Sequence, residues 1–195
     1  MIRLAKETDV ETIRAIYTPF VESSVVTFDL KVPSLLEFTK KFQKIIEEAP
    51  CLVCEIDGEV IGYAFADSYR SKEAYKWTRE VSVYINKDKR TNKYGTALYL
   101  TLIELLKCQN YRNIVAAITL PNIPSVSFHE RLGFHQCGVF NNIGFKFGKT
   151  HRVGWWQLTL VDVTEPAKDI IPLKEVLETE EGQKALKAGQ LRLNV

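Results

Sequence analysis

The chain has 195 residues, 46% hydrophobic and 26% charged, the balance of an ordinary soluble globular domain rather than a disordered or membrane-embedded chain. With 26 Lys and Arg against 24 Asp and Glu the net charge is +2, too even for nucleic-acid binding by overall charge, so any anion site must come from local clustering. The start, MIRLAKETDV, is charged by Arg3 and lacks an apolar signal-peptide core, and no apolar run approaches the ~20 residues of a membrane span. The expectation is a cytoplasmic chain with no membrane or nucleic-acid partner.

IRLAK reads as a short strand, after which Thr8 or Asp9 can cap a helix through VETIRAIYTPFVESS. Val10, Ile13, Ile16, Tyr17 and Phe20 recur at spacings of three and four, so one face of that helix is buried. Pro33-Ser34 opens a second helix, LLEFTKKFQKIIEE, ended near Pro50. CLVCEI and EVIGYAFA flank Asp57-Gly58, a strong hairpin signal. KWTREVSVYI is a strand, YGTALYLTLIELLKCQ a helix, and NIVAAITL a strand expected to be buried on both faces. PSVSFHERLG is a short helix closed by Gly133 as a left-handed cap, and two strands follow, FHQCGVFNNIGF and HRVGWWQLTL. This order predicts an α/β (α+β) domain over residues 1–160 with a mixed sheet and a crossover through the third helix. The tail, 161–195, is charged, with Leu173, Val176, Leu177, Ala185 and Leu186 as its apolar handholds; it reads as partly helical, packed on the domain or on a dimer.

Cys51 and Cys54 form a C-x-x-C inside an apolar strand, with no second such pair and no clustered histidines, so they read as core thiols and no metal is expected. The stretch NKDKRTNKYGTALY is more informative. It joins a strand to a helix, and a helix N-terminus offers free N–H groups and a positive dipole end to phosphate. Gly95, Thr96 and Ala97 are small enough for a diphosphate to approach the backbone, and Arg90 and Lys93 add charge. It is neither G-x-x-x-x-G-K-[ST] nor G-x-G-x-x-G, and taken alone it is read better as a solvated basic loop.

Three stretches together change that reading. VSVYI followed by R-x-x-K-x-G-T-A and an apolar helix resembles the acetyl-CoA motif of the GNAT superfamily of N-acetyltransferases. AYKWTREVSVYI, LPNIPSVSFHERLGF and GFKFGKTHRVGWWQ resemble its phosphinothricin (methionine sulfoximine) acetyltransferase subfamily, over Ile2 to about Leu160. The resemblance implies a GNAT fold, with a mostly antiparallel sheet whose two middle strands splay apart. It also implies acetyl transfer from acetyl-CoA, without a metal, to the amine of a small amino-acid-like substrate, by a homodimer.

Carried over residue by residue, the resemblance implies that Val83, Tyr84 and Ile85 pair with the pantetheine arm and that Arg90, Thr91, Asn92, Lys93, Tyr94, Gly95 and Thr96 form the pyrophosphate turn. Asn122 and His129 also fall to the cofactor. Glu80 matches the catalytic glutamate, His129 a relay or acid, and Tyr84 is a second candidate acid. Phe28, Arg70, Lys72 and Tyr75 are the substrate candidates. Two departures stand out: Lys93 where relatives often have glycine, and Lys72 where they tend to have a second arginine, whose two-pronged grip a lysine lacks. From the residues alone Glu80 could equally be a surface glutamate paired with Arg79 or Lys76, Phe28 and Tyr75 plain core aromatics, and His151, Trp155 and Trp156 packing or dimer contacts. The alternatives in function are a peptide or polyamine acceptor, or a non-catalytic CoA-binding module.

Overall fold

The computed structural model describes residues 1–89, 92–161, 164 and 166–193, apart from the side chain of Asn92. Its seven strands are β1 (Ile2–Leu4), β2 (Cys51–Ile56), β3 (Glu59–Ser68), β4 (Thr78–Ile85), β5 (Asn113–Leu120), β6 (His135–Lys146) and β7 (Lys149–Thr159). They form one sheet in the order β1-β2-β3-β4-β5-β7-β6, antiparallel throughout except between β4 and β5. The β2–β3 hairpin turns at Asp57 and Gly58, with φ of 51° and 79°, the geometry that makes Asp-Gly a hairpin signal.

Helices α1 (Val10–Ser23) and α2 (Leu35–Glu48) cover one face, and α3 (Asn92–Cys108) and α4 (Ile123–Arg131) the other. Ser34 starts α2 through a reciprocal cap: its Oγ accepts from the Glu37 N–H, and the Glu37 carboxylate accepts from the Ser34 N–H at 2.8 Å. The two-residue period of the strands divides the side chains between the layers. Cys51 and Val53 pack toward α1 and α2, Leu52 and Cys54 toward α3. The two thiols therefore sit on opposite faces of the sheet and cannot share a metal ion. Burial pushes Cys51 up to about 12 and Cys54 up to about 11.

The core beneath α3 is mostly apolar. Leu98, Leu102, Leu105 and Leu106 are fully buried against Ala64, Val81, Ile114 and Ala116. Each such leucine contributes about 1.5–3 kcal/mol by leaving water. Two tail helices, α5 (Leu173–Glu178) and α6 (Glu180–Lys187), extend this layer by covering the outer side of α3. Val176 and Ala185 are buried there, with Leu173, Leu177 and Leu186 beside them. After α6 the Gly189 N–H donates to Thr101 Oγ1 at 3.0 Å, and the Gln190 amide donates to the Ile2 carbonyl at 2.7 Å. Gly189 runs so close to α3 that a Cβ would overlap the Ala97 carbonyl.

The sheet opens at its middle. The β4–β5 ladder holds only Thr78–Asn113, Arg79–Ile114 and Glu80–Val115. Beyond that point β4 stays with β3 as far as Ile85, and β5 stays with β7 as far as Leu120. The separation corrects one expectation: β5 is not buried on both faces, because Ala117 is exposed where its neighbour has left.

Candidate active site

Alternation along β4 decides what meets the opening. Val81, Val83 and Ile85 point to the α3 layer, while Glu80, Ser82 and Tyr84 line a cavity of about 1150 Å³ under α1 and α2. Thr119 of β5 and Trp155 of β7 form the far wall, and residues 26–34 form the mouth. Glu80 thus sits at the last rung before the strands diverge, facing the cavity.

Its environment is specific. Arg79, the next residue, faces the other way: it donates to Glu48 at 3.1 Å and to the Tyr111 hydroxyl at 2.6 Å. Lys76 lies 4.0 Å from Glu73. Among the described residues Glu80 has neither of these as a salt-bridge partner. Across the antiparallel β3–β4 ladder its direct partner is Asp67, which also lines the cavity. Opposed residues of neighbouring strands share a face with Cβ atoms about 4.5–5.5 Å apart, so the two carboxylates feel each other. Burial holds the Glu80 pKa above the ordinary glutamate range and the Asp67 charge adds to this, while Lys41 on α2 opposes it.

Tyr84 is packed among Tyr17, Phe20 and Tyr63, with ring centroids 5.1, 5.1 and 5.3 Å away. Burial raises its pKa, so it stays a protonated phenol. Phe28 lies at the cavity mouth, half exposed rather than in the core. Its ring sits against Gly144, where any Cβ would collide with it. The loop that carries Phe28 is fastened on both sides. Tyr17 donates to Asp29 at 2.7 Å, and the ammonium of buried Lys146 donates to the Thr27 carbonyl at 2.9 Å.

The other candidates lie elsewhere. Arg70, Lys72 and Tyr75 line a separate hollow of about 310 Å³ with Ser71, and Tyr75 is exposed. Tyr69 connects this hollow to the cavity wall, stacking edge-on with Tyr75 at 5.6 Å and Trp155 at 5.8 Å. His129 is buried on the α3 side, 3.2 Å from the Tyr99 hydroxyl through Nε2. Its Nδ1 faces the Ser125 carbonyl at 2.8 Å, which can only accept, so Nδ1 carries the proton and Nε2 accepts from Tyr99. Burial lowers the His129 pKa, favouring this neutral form.

Asn122 caps α4, its Oδ1 accepting from the Ser125 N–H at 3.2 Å. On the basic turn, Arg90, Thr91 and the Asn92 side chain lie outside the described residues. Gly95 and Ala97 are buried in the first turns of α3, with Tyr94 and Thr96 half-buried beside them. The Lys93 ammonium reaches the Leu193 carbonyl of the tail at 3.4 Å.

Sequence reasoning missed Asp67, Lys41, Tyr99 and the cavity position of Trp155. Asp67 becomes visible only through the β3–β4 register. Tyr99 carries a signal of its own, a hydroxyl in the apolar stripe of α3. Trp156 is buried, as packing requires, but Trp155 alternates to the open side.

A sheet splayed at its centre, with a carboxylate at the fork and a helix start beside it, defines an acyl-transfer fold. The sequence profile of the acetyltransferase (GNAT) domain matches residues 2–153, and the chain belongs to this family. It is 31% identical over 175 residues to phosphinothricin N-acetyltransferase of Streptomyces viridochromogenes, which spans 90% of this chain and 95% of that one. It is 34% identical over 161 residues to an L-methionine sulfoximine/L-methionine sulfone acetyltransferase of Pseudomonas paraeruginosa, covering 82% and 94%. Among solved structures, a GNAT superfamily phosphinothricin acetyltransferase from Sinorhizobium meliloti in complex with AcCoA aligns with a TM-score of 0.83 at 30% identity, covering 88% of this chain and 95% of that one. The chain is an acetyl-CoA-dependent N-acetyltransferase.

The residues present fit that co-substrate. Beyond Glu80 the side of β4 turned from β3 has no strand partner among the described residues, which leaves backbone groups for an extended amide-bearing arm. The N-terminus of α3, which follows β4, offers its free N–H groups to phosphate, and Gly95 faces the Phe128 ring of α4.

Proposed function

We propose that this chain acetylates the amine of a small amino-acid-like acceptor of the phosphinothricin or methionine sulfoximine type, with Glu80 as general base. The observation that carries the reading is the position of Glu80, half-buried at the fork of β4 and β5 and facing a cavity of about 1150 Å³. An α-amine is mostly ammonium near neutral pH and must lose a proton before it can attack. A carboxylate whose pKa is raised toward neutrality is suited to take that proton, directly or through one water. Acetyl-CoA, when bound, supplies an acetyl group activated as a thioester. Val83, Tyr84 and Ile85 would hold its arm, with Asn122 at its side, and the turn from Arg90 through Asn92, Lys93 and Gly95 to Thr96 would hold its pyrophosphate. His129 relays the substrate proton or protonates the leaving sulfur, with Tyr84 as the second candidate acid. Phe28 closes the cavity mouth, while Arg70, Lys72 and Tyr75, expected to bind substrate, line a hollow of their own outside this cavity.

Support for the acceptor class comes from the relatives named for phosphinothricin and methionine sulfoximine. A polyamine acceptor has one observation in its favour, the carboxylates of Asp29, Asp67 and Glu80 all lining the cavity. A homodimer is part of the proposal; exposed Phe140, Ile143 and Phe145 on edge strand β6 form an apolar surface for it, and sedimentation velocity checks this.

An acetyl-CoA consumption screen tests the reading, run over phosphinothricin, methionine sulfoximine, methionine sulfone, polyamines and short peptides. Turnover of the amino-acid analogues well above the others is expected. Turnover confined to polyamines or peptides replaces the acceptor class, and failure of acetyl-CoA to raise the melting temperature at millimolar concentration removes the cofactor site.

A further inference from the structure

An α-amino acid places its carboxylate one carbon away from its amine. If the amine reaches Glu80, the cation that holds the carboxylate must therefore stand beside Glu80. The cations expected for this task, Arg70 and Lys72, line the separate hollow and are absent from the lining of the main cavity. Lys146 is already committed to the Thr27 carbonyl.

Helix α2 supplies the missing charge. Glu37, Phe38, Lys41, Phe42 and Ile45 recur at three and four and present one face of the helix to the cavity. Phe42 and Ile45 are buried and anchor this face, while Glu37 is spent on the Ser34 cap. Lys41 forms no salt bridge among the described residues, and it lines the cavity as a free ammonium on a well-anchored helix. Its charge is felt at Glu80, where it opposes the effects of burial and Asp67. Lys31 also lines the cavity, but from the mouth loop, and no such influence on Glu80 accompanies it.

We propose that Lys41 receives the carboxylate of the acceptor and is the residue by which this enzyme prefers amino acids to simple amines. The inference rests on the acceptor reading above. In it the acceptor bridges the cavity, its ammonium toward the opposed Asp67–Glu80 pair on the sheet and its carboxylate toward α2. The same arrangement rejects polyamines, since a second ammonium would meet Lys41.

The test compares two acceptors that differ only in the carboxylate: methionine sulfone and its decarboxylated amine, 3-(methylsulfonyl)propan-1-amine. For Lys41→Met the KM for methionine sulfone should rise about 10- to 100-fold, the cost of losing one charge-assisted contact. The KM for the decarboxylated amine, the KM for acetyl-CoA, kcat at saturation and the melting temperature should hold. Lys41→Arg should recover most of the preference, and Lys31→Met should keep it. An unchanged ratio of kcat/KM between the two acceptors in Lys41→Met overturns the inference. So does loss of the ratio in an Arg70→Met, Lys72→Met double variant alone. If the wild-type enzyme acetylates neither compound, the acceptor reading itself has failed and this inference falls with it. If both are turned over and only the Lys41 variant is silent, the reading stands and Lys41 is wrong.

Discussion

The two faces of β4 show how one strand divides its labour. Val81 is buried beneath α3 with Val83 and Ile85 packed partly exposed beside it, and α3 is covered in turn by α5, α6 and Gly189 of the tail. Glu80, Ser82 and Tyr84, interleaved with them, face a cavity with charged groups on its walls. The dry side is rigid and redundant, with many leucines sharing the load. The wet side depends on single groups held in place by that rigidity, because the cavity exists only where β4 and β5 part. Substitutions on the two faces should therefore separate activity from stability, although neighbouring residues are involved.

The largest effect falls on the wet face. Glu80→Gln keeps the shape and removes the proposed base, so kcat should fall about 10²- to 10⁴-fold while the melting temperature and acetyl-CoA affinity hold. Unchanged turnover would remove Glu80 from the mechanism. On the dry face Leu102→Ala should cost about 2–5 kcal/mol in chemical denaturation through lost burial and a cavity, with kcat near wild type at temperatures where the variant is folded. Loss of kcat in that folded state would mean the two faces are not independent.

Gly189→Ala probes the outer layer. The added methyl would overlap the Ala97 carbonyl, so the tail must lift from the first turns of α3, at a cost of about 1–3 kcal/mol. Those turns carry the pyrophosphate residues of the proposed site, so the KM for acetyl-CoA should rise along with the loss in stability. A stability loss without a KM change would confine the tail to the dry side of the comparison.

How much of this was legible in the sequence follows the same division. Local signals were enough for the elements: the Asp57-Gly58 turn, the Ser34 cap and the Gly133 stop each encode their own geometry in adjacent residues. The motif around the basic turn and LPNIPSVSFHERLGF led to the family, because it concentrates matching residues in short runs. Pairings made at a distance were hidden. Asp67 and Glu80 are 13 positions apart and meet only through strand register, and Lys41 joins them from another layer. Arg70 and Lys72, adjacent to the right strand in sequence, turn into a different hollow because the 70–75 segment leaves the sheet after Ser68.

The wet face should also govern pH dependence. In the proposed mechanism Glu80 acts as a carboxylate, so kcat/KM should rise with pH through a pKa above the usual 4.5. Replacing Asp67 by Asn removes one of the two influences that raise it, and the acid limb should move to lower pH. Stability responds in the opposite sense. The unfolded carboxylate ionises near 4.5 while the folded one resists, so unfolding free energy should fall as pH climbs from that value through the raised folded pKa. Glu80→Gln should flatten that decline, and a decline identical to wild type would assign it to another group.

The smallest effect is expected at Lys93, where the two faces come closest. Its ammonium lies 3.4 Å from the Leu193 carbonyl, so it ties the start of α3 to the tail. Backbone N–H groups at the start of α3 do not depend on this side chain. Lys93→Met should thus cost about 1 kcal/mol, as expected for losing a long hydrogen bond and a distant contact with the Tyr94 ring at a partly exposed site. The KM for acetyl-CoA should change no more than about threefold, well inside 1.4 kcal/mol. A tenfold or greater rise, with the melting temperature unchanged, would show that the lysine holds phosphate with its side chain and only rests on the tail when the turn is empty.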